Sequence, residues 1–428
     1  MTAPPADAPA RYREAGDRAR SERPGPRWGL RLVISLGLIL LVVAGGTGVQ
    51  LGRRLPADTL MPAAQLLAVP GTAPLPWPRG GQATVDVDGV GMTSAQQQPS
   101  GIPMGSVAKI MTAYVILSRY PLPPRTGGPM LRVTAADEAS YRHRARSRES
   151  LLPVRAGEQL TERQALEALL VPSANNAADL LAEWDAGTIA QFVVRLNDEA
   201  GRLGLTATRY SDASGFRAST VSSATDQVRL AERALSIPAF AEIVKTREVV
   251  LPLAGRMRNY NALLDMPGVI GVKTGSTPAA GGNIVFAATR RLAGSSVTIV
   301  GAVLGQHVGE RSLQALAAAL DAAKGLLNAV EAEVRSVVVV RAGAAVGHLR
   351  TAWGPSVEVY AGGSVTELLA PGAAPTATFD PVGSPGRYVG AQVGRLIVRT
   401  GENQVDVPVL LSQPLRNPSL GWRLRRGL

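Results

Sequence analysis

Residues 32–51 are uncharged and mostly apolar, and this stretch constrains the fold of the chain more than any other feature. It is long enough to cross a bilayer as an α-helix. Three interpretations compete: a membrane anchor, a cleavable signal peptide and a buried core helix. The stretch has no polar face, which disfavours the core helix. Arg53 and Arg54 follow in place of an immediate A-x-A cleavage site, and this favours an uncleaved anchor.

The segments on either side of this stretch predict how the chain is arranged around a membrane. Residues 1–31 are rich in proline, alanine and charge, and arginine outnumbers acidic residues there. We therefore expect a disordered basic tail in the cytoplasm and everything after the helix outside it. Residues 52–80 are rich in proline and predict a semi-rigid linker. The chain is thus predicted to be a single-pass membrane protein with an extracytoplasmic domain.

Composition excludes several kinds of site and partner. The chain has 428 residues, enough for two domains, which we place at 81–330 and 331–428. It has no cysteine, so disulfides, thiolate metal sites and cysteine nucleophiles are excluded. The net charge is +12, but only 4% of residues are aromatic and the basic residues are spread out, so we expect no nucleic-acid binding. An anionic extracellular polymer or a membrane surface fits this charge better.

A serine and a rare lysine share one face of a helix predicted at residues 105–117. Pro103 disfavours helix just before it, and Ser106 and Lys109 are three residues apart. The other lysines in the sequence are Lys245, Lys273 and Lys324. Most of the positive charge is therefore arginine, which cannot lose its proton, whereas a desolvated lysine can act as the base for a serine nucleophile. A surface lysine on an ordinary helix is the alternative.

A second polar element lies between two predicted helices. Residues 161–164 have the capping-box pattern Thr-Glu-Arg-Gln, and the helix that follows them must end at Pro172. Ser173 and Asn175 open the next helix, where their side chains are free to point into a cleft. Serine and asparagine are also common helix caps, so plain capping is the alternative.

A third element, Lys273-Thr274-Gly275, precedes two strongly β-prone segments at 283–289 and 295–304. On an edge strand it offers a fixed positive charge, a hydroxyl group and a backbone that can closely approach an extended peptide. An ordinary strand lysine is the alternative. Because lysine is so rare in this chain, we favour a functional site.

The order of these elements, S-x-x-K, S-x-N and K-T-G, is typical of penicillin-binding proteins and class A β-lactamases. Across residues 80–330 the sequence resembles the D-alanyl-D-alanine carboxypeptidases, the low-molecular-mass penicillin-binding proteins. Further stretches support the resemblance: Leu-Leu-Val-Pro-Ser-Ala-Asn-Asn-Ala-Ala at 169–178, Asp-Ala-Ser-Gly-Phe at 212–216, Ser-Ala-Thr-Asp at 223–226 and Arg-Asn-Tyr-Asn-Ala-Leu-Leu at 258–264. It implies a mixed α/β (α+β) fold of the serine β-lactamase and penicillin-binding-protein transpeptidase type, with a small β-rich C-terminal domain.

The resemblance also implies roles for the catalytic residues. Ser106 would be the nucleophile that forms an acyl-enzyme, and Lys109 would be its general base. Ser173 would relay protons to and from the leaving group, and Asn175 would position the substrate amide. Lys273 would raise the positive potential around Ser173 and Lys109, which helps to keep an amine neutral.

A substrate-binding strand follows from the same resemblance. Thr274 would help to hold the terminal carboxylate of the substrate, beside the backbone of Gly275 and Ser276. The backbone N–H groups of Ser106 and Ser276 would form the oxyanion hole. Arg311 lies roughly where some relatives have a carboxylate-binding arginine. The reaction would require no metal and no organic cofactor.

The resulting prediction is a membrane-anchored serine-type D-Ala-D-Ala carboxypeptidase that removes the terminal D-alanine from peptidoglycan stem peptides, with β-lactams as covalent inhibitors. The alternatives with the same site are a DD-endopeptidase, a β-lactam-hydrolysing enzyme and a catalytically inactive protein that binds or senses the cell wall. A class A β-lactamase is disfavoured because no convincing Glu-x-x-Leu-Asn element lies between the second and third motifs. No histidine has a compelling partnership with Ser106, which disfavours a Ser-His-Asp mechanism.

The remaining patterns predict the other elements. The arginine-rich run at 141–148 predicts a solvated loop, with a polymer-binding loop as the alternative. Apolar spacing predicts helices at 189–203, 225–235 and 311–328. Beyond residue 334, β-prone segments predict strands at 336–341, 345–352, 357–360, 394–400 and 404–411. We expect these strands to form a small domain that acts as a spacer or contacts the cell wall.

Overall fold

A computed structural model of the chain describes residues 28–63, 66, 75–95, 100–147, 149–292, 294–307, 312–371, 373–383, 385–401 and 403–426. Contacts within the chain divide it into two compact units. The first comprises Met1–Thr59, Arg350–Ser356 and Leu415–Leu428, and the second comprises Leu60–Leu349 and Val357–Pro414. The predicted basic tail lies outside the described residues, apart from 28–31, which already belong to a helix.

In chain order, the α-helices of the described residues are α1 (Trp28–Gly52), α2 (Lys109–Arg119), α3 (Ala135–Arg144), α4 (Glu162–Leu170), α5 (Asn175–Ala186), α6 (Ile189–Arg202), α7 (Ala224–Leu235), α8 (Pro238–Val244), α9 (Ser312–Glu333) and α10 (Leu420–Arg425). The strands are β1 (Thr59–Pro62), β2 (Gln82–Val87), β3 (Gly91–Ser94), β4 (Ile102–Pro103), β5 (Met130–Arg132), β6 (Gln159–Thr161), β7 (Val221–Ser222), β8 (Glu248–Leu251), β9 (Gly255–Arg258), β10 (Val269–Thr277), β11 (Gly281–Leu292), β12 (Ser295–Gln306), β13 (Arg335–Val340), β14 (Ala345–Arg350), β15 (Val357–Ala361), β16 (Val365–Leu369), β17 (Thr376–Pro381), β18 (Gln392–Thr400) and β19 (Asn403–Leu411). Short 3₁₀ helices are formed by Gly105–Ala108, Ala145–Ser147 and Ala262–Asp265.

The first unit is built on α1, the helix that the apolar stretch predicts. It is long and apolar enough to cross a membrane, and none of its described residues is buried within the protein. Helix α10 of the same unit lies against the C-terminal end of α1, where Arg423 Nη1 donates to Leu51 O at 3.1 Å. A positive group at this end of a helix complements the helix dipole.

The second unit contains an antiparallel five-stranded sheet with the strand order β10-β11-β12-β2-β3. Strand β11 is buried on both faces over most of its length, which explains its nearly continuous apolar sequence. Ile284 and Phe286 pack with residues of α9, whereas Val285 and Ala287 belong to the core formed with the other helices. The sheet is therefore covered by α9 on one face and by a helical cluster on the other.

Helix α2 is the centre of that cluster. It contacts α4, α5, α6, α7 and α8, and Ile110, Met111 and Ile116 are fully buried. A helix that is apolar nearly all round must be surrounded by other elements, which is what the sequence after Ser106 indicates. The first turn of α2 is consequently held between the helices and the sheet.

The predicted helices at 189–203 and 225–235 are confirmed as α6 and α7, and the predicted capping box at 161–164 is also present. The side chain of Thr161 accepts from Gln164 N, and the side chain of Gln164 accepts from Thr161 N. This reciprocal pair fixes the start of α4.

The predicted C-terminal strands are confirmed to within a few residues, but three strands of the β-rich region are missing from the prediction. One of these, β16, pairs with β13 outside the larger sheet. The others, β1 and β17, occupy the two edges of a six-stranded sheet ordered β1-β14-β15-β19-β18-β17. Both end in proline, which edge strands tolerate and which obscures a strand pattern. Because β1 lies at Thr59–Pro62, the segment predicted as a linker contains a strand.

The first residue of α4, Glu162, has a fully buried carboxyl group without a hydrogen-bond partner among the described residues. Burial raises the pKa of Glu162 to about 7. The folded state therefore holds this proton more strongly than the unfolded chain, and stability falls as the pH rises from about 4.5 to about 7. We expect Glu162→Gln to remove this loss and to raise the free energy of unfolding at alkaline pH by on the order of 2 kcal/mol, measured by urea titration.

In acid, at about pH 4, wild type and Glu162→Gln should unfold at similar urea concentrations because both side chains are then neutral. Glu358→Gln changes an exposed carboxyl group on β15 and is the matched control. We expect no increase in its free energy of unfolding at alkaline pH. A gain that is equally large in acid would contradict a titration effect.

Candidate active site

The segment that carries Ser106 and Lys109 is not the single helix predicted at 105–117. Gly105–Ala108 form a 3₁₀ helix, and α2 begins only at Lys109. Residues three apart are eclipsed in a 3₁₀ helix, so Ser106 and Lys109 still share one face. Gly105 enters this turn with φ of 57°, a conformation that favours glycine.

Lys109 Nζ is surrounded by three oxygen atoms from three separate parts of the chain. Ser106 Oγ and Asn175 Oδ1 each lie at 2.7 Å, and Ser214 O lies at 3.0 Å. An ammonium group donates to all three. When it loses one proton, the two oxygens that can only accept retain the remaining N–H groups, and Ser106 is the partner that can donate in return. The lone pair of Lys109 then faces the serine hydroxyl, as general-base catalysis requires.

The electrostatic surroundings favour this neutral amine. Lys109 is fully buried, and burial, followed by the charge of Lys273, lowers its pKa well below the usual value. Asp212 and Asp179 oppose the shift by favouring the ammonium form. Burial also lowers the pKa of Lys273 to about 7. Two ammonium groups in one buried region repel each other, so a charge on one disfavours a charge on the other.

Ser173 and Asn175 point into the site and do not cap α5. The N-cap of α5 is Ala174, and no side chain provides a cap there. Ser173 adopts a φ of 66°, and its buried Oγ has no hydrogen-bond partner within the described part of the chain. A left-handed conformation is unfavourable for serine by about 1–2 kcal/mol. Strain of this kind is concentrated at functional sites.

The Lys273-Thr274-Gly275 element lies on β10, an edge of the five-stranded sheet, as the sequence predicts. A Cβ atom on Gly275 would lie 2.7 Å from Ser106 N, so a larger residue could not keep the strand this close. Lys273 is buried, and its Nζ donates to Thr274 O at 2.9 Å. The glycine therefore explains how β10 comes to lie directly beside the serine.

These elements converge on one cleft of about 530 Å³. The predicted site residues that line it are Ser106, Ser173, Asn175, Thr274, Gly275 and Ser276. The rest of the wall includes Phe216, Tyr260 and Leu313, which are 52%, 50% and 73% exposed and offer apolar surface to a ligand. Arg311 lies outside the described residues.

The carbonyl of Ser214 is a contact of Lys109 that motif reasoning missed. Asp212 builds the turn that presents it, accepting from Ser214 Oγ at 2.9 Å and from Phe216 N at 2.8 Å. Gly215 has φ of 77°, and a Cβ there would lie 1.8 Å from Gly105 O. The turn therefore packs directly against the segment that carries the serine. In the sequence, Asp212 and Gly215 are the signal that could have indicated this turn.

The prediction of a solvated loop at 141–148 is wrong, because the run begins within α3 and continues into the 3₁₀ helix Ala145–Ser147, and Arg144 is mostly covered. Helix α3 ends at this residue, whose side chain is 20% exposed and pairs with both Glu149 and Asp179. Glu149 in turn accepts from Asn175 Nδ2 at 2.9 Å and lines the cleft. Sequence reasoning missed these residues because Asp179 and Asn175 are 35 and 26 positions away from their partners.

The sequence profile described as D-alanyl-D-alanine carboxypeptidase matches residues 85–307, more than half of the chain. The chain belongs to this carboxypeptidase family. A D-alanyl-D-alanine carboxypeptidase from a Streptomyces species is 31% identical over 218 residues, covering 47% of this chain and 71% of the relative. One from Mycobacterium tuberculosis is 30% identical over 228 residues, covering 51% and 74%. Other relatives are named D-alanyl-D-alanine endopeptidase, among them one from Haemophilus influenzae.

Solved structures show the same carboxypeptidase fold. Penicillin binding protein 5 from Haemophilus influenzae superposes with a TM-score of 0.57 at 19% identity, covering 81% of this chain and all of that one. The predicted family, the fold class and the assignment as a serine-type carboxypeptidase are thereby confirmed. The individual residue roles, the domain boundaries and the independence from cofactors stay predictions.

Proposed function

We propose that this carboxypeptidase removes the terminal D-alanine from peptidoglycan stem peptides through an acyl-enzyme on Ser106. The observation that carries the proposal is the position of Lys109 Nζ, 2.7 Å from Ser106 Oγ and held by two further oxygens that can only accept. This arrangement supports a neutral lysine that takes the serine proton.

In the proposed reaction, Ser106 Oγ attacks the carbonyl carbon of the penultimate D-alanine while Lys109 takes its proton. The C–N bond to the terminal D-alanine then breaks, and the departing nitrogen receives a proton through Ser173. The unpaired hydroxyl of Ser173 in the cleft fits this relay. Water hydrolyses the acyl-enzyme, with the same groups accepting and returning the proton.

Strand β10 would bind the extended end of the peptide. The backbone N–H groups of Ser106 and Ser276 would stabilise the oxyanion, each donor contributing about 3 kcal/mol. Thr274 and the positive charge of Lys273 would attract the terminal carboxylate, and Asn175 would position the substrate amide. A β-lactam would acylate Ser106 in the same way and act as a covalent inhibitor.

Helix α1 supports a membrane location for this reaction. We infer a single-pass protein with a cytoplasmic N-terminus and the catalytic domain, at about 81–330, outside the cytoplasm. The arginine excess before α1 is the basis for this topology. The peptide bond that would be cleaved lies in the cell wall, so an extracytoplasmic domain fits the proposed substrate.

A DD-endopeptidase activity is the second candidate, because curated relatives carry that name. It would use the same serine and lysine on a cross-linked peptide, and the exposed apolar wall at Phe216, Tyr260 and Leu313 leaves the cleft open to a longer substrate. Two alternatives remain for experiment to distinguish: a β-lactam-hydrolysing enzyme, and a catalytically inactive protein that binds or senses the cell wall.

We expect the full chain in detergent to release D-alanine from a peptide that ends in D-Ala-D-Ala, measured by mass spectrometry. The same peptide with an amidated C-terminus is the matched control, and its turnover should be at least about tenfold lower because the cationic site loses its carboxylate partner. Release only from cross-linked peptides would favour the endopeptidase. Labelling by fluorescent penicillin without any release would favour a binding role, and rapid penicillin turnover would favour β-lactam hydrolysis.

A further inference from the structure

A partly buried chain of charged groups reaches Lys109 through Asn175. Asn175 Oδ1 accepts from Lys109 Nζ at 2.7 Å, and Asn175 Nδ2 donates to Glu149 Oε2 at 2.9 Å. Arg144 Nη2 donates to the same Glu149 oxygen at 2.7 Å, and Arg144 Nη1 pairs with Asp179. The side chains of Glu149, Arg144 and Asp179 are 6%, 20% and 24% exposed, so solvent screens this network only in part.

We infer that Glu149, held by Arg144, is a positioning residue that orients the Asn175 amide and so directs the lone pair of Lys109 onto Ser106. The inference rests on the proposed function. It assigns to the residues after α3 a role that the arginine-rich sequence does not indicate.

The chemistry of the two groups fixes the orientation of the amide. An ionised carboxylate can only accept hydrogen bonds, so the end of Asn175 that faces Glu149 must be its NH₂ group. The other end, the carbonyl oxygen, then has to face Lys109. Were the amide reversed, its N–H would face Lys109 and could take up the lone pair that Ser106 needs.

Glu149 has to remain ionised to impose this orientation. Burial alone would raise its pKa, but the hydrogen bonds from Arg144 and Asn175, together with the charge of Arg144, outweigh burial and lower the pKa of Glu149. Arg144 Nε and Nη2 both donate to Glu149 Oε2, at 3.1 and 2.7 Å, and the two hydrogen bonds together limit the movement of the carboxylate.

The backbone around Glu149 is held by other contacts. Asn175 N donates to Ser150 O at 2.7 Å. The side chain of Asn176 donates to Leu152 O and accepts from Leu152 N, both at 2.8 Å. The loop after α3 is therefore tied to α5 whatever residue stands at 149. This separates the orientation of the Asn175 amide from the folding of the loop.

The charged groups that act on Lys109 come from several elements and predict opposite effects for two substitutions. They are Lys273 on β10, Asp212 before β7, Asp179 on α5 and Arg144 on α3, with Glu149 one contact further away. Removing the Arg144 charge makes the ammonium form of Lys109 more favourable, so the pH at which activity appears should rise. Removing the Glu149 charge makes the ammonium form of Lys109 less favourable, so the pH at which activity appears should fall.

The test is the rate of acylation by fluorescent penicillin between acid and alkaline pH, with the full chain in detergent. Glu149→Gln should acylate about 10- to 100-fold more slowly at every pH, because the amide orientation is lost. Its acid limb, the part of the pH profile in which the rate rises from its low value in acid, should shift to lower pH by about half a unit, because the charge is removed. Arg144→Gln should shift the acid limb to higher pH by a similar amount and recover towards the wild-type rate in alkali.

The matched control is Arg142→Gln, which removes an arginine of the same helix whose side chain is 73% exposed, and it should behave as wild type. Glu149→Asp keeps the charge and should retain the wild-type acid limb at an intermediate rate. Thermal unfolding shows whether Glu149→Gln is folded. If it is not, Glu149→Asp replaces it in the test.

Two results would overturn the inference: rates and pH profiles for Glu149→Gln and Arg144→Gln that match Arg142→Gln, or slower rates without opposite shifts of the acid limb. The second outcome would indicate that the pair only supports the fold. If the wild type neither reacts with penicillin nor releases D-alanine, the proposed function fails and the inference fails with it. If the wild type is active but the variants at positions 144 and 149 behave like Arg142→Gln, the inference is rejected and the proposed function stands.

Discussion

Ser106→Ala is expected to abolish covalent labelling by penicillin and to lower D-alanine release by on the order of 10⁴- to 10⁶-fold. The hydroxyl of Ser106 lies 2.7 Å from Lys109 Nζ. Within the described part of the chain, no other hydroxyl oxygen is bonded to that amine. Without this oxygen no acyl-enzyme can form, and the rest of the cleft can only bind the peptide. Intact-protein mass spectrometry after incubation with penicillin measures the adduct, and D-alanine release measures turnover.

The variant should remain folded, because the substitution removes one hydrogen bond worth about 1 kcal/mol from a partly exposed side chain. Ser118→Ala is the matched control: this exposed serine lies near the other end of α2 and should keep wild-type labelling and turnover. If Ser106→Ala still forms the penicillin adduct, a different nucleophile must be present. Ser173, whose hydroxyl lies unpaired in the same cleft, would then be the first residue to test.

The parts of this site that the sequence predicts are those in which residue type and local spacing determine the geometry. Ser106 and Lys109 meet because residues three apart share a face in a 3₁₀ turn as in an α-helix. Gly275 is predictable for a similar reason, since only a residue without Cβ lets β10 approach Ser106 N. The apolar sequence of α2 likewise requires that the helix be surrounded.

The parts that escape the sequence depend on partners far along the chain. Ser214 contributes a backbone carbonyl to Lys109 from 105 residues away, and a carbonyl has no residue identity that a motif could reveal. The arginine-rich run at 141–148 has the composition of a solvated loop, yet Arg144 is anchored by Asp179 on another helix. The proline-rich segment does not predict edge strand β1, because this strand depends on pairing with β14, which lies far along the chain.

Lys109→Arg is the second substitution with a very large expected effect, a fall in the rate of acylation of about 10²- to 10⁴-fold. A guanidinium group keeps its proton at any pH that a protein survives, so it cannot accept the proton of Ser106. The positive charge is retained, and the test therefore separates the role of a base from that of a cation. Stopped-flow fluorescence with a labelled penicillin measures the rate.

Lys324→Arg makes the same chemical change on an exposed position of α9 and should leave the rate unchanged. Lys109→Met addresses folding, because it removes the base without leaving a permanent charge in a fully buried place. Both substitutions at 109 should lower the acylation rate to a similar extent, but the methionine variant should be the more stable of the two. An active methionine variant would contradict the assignment of the base.

The pH dependence of the wild type provides the sharpest form of this test. Because burial and the charge of Lys273 lower the pKa of Lys109, acylation should already appear below the alkaline range in which an ordinary lysine titrates, and should increase as the pH rises through that lowered pKa. Lys273→Met removes one of these causes, so the acid limb should move to higher pH. The residual activity of Lys109→Arg should have no such limb. If an unchanged limb persisted there, it would report another group, and Lys273, with its pKa lowered to about 7, would be the group to examine.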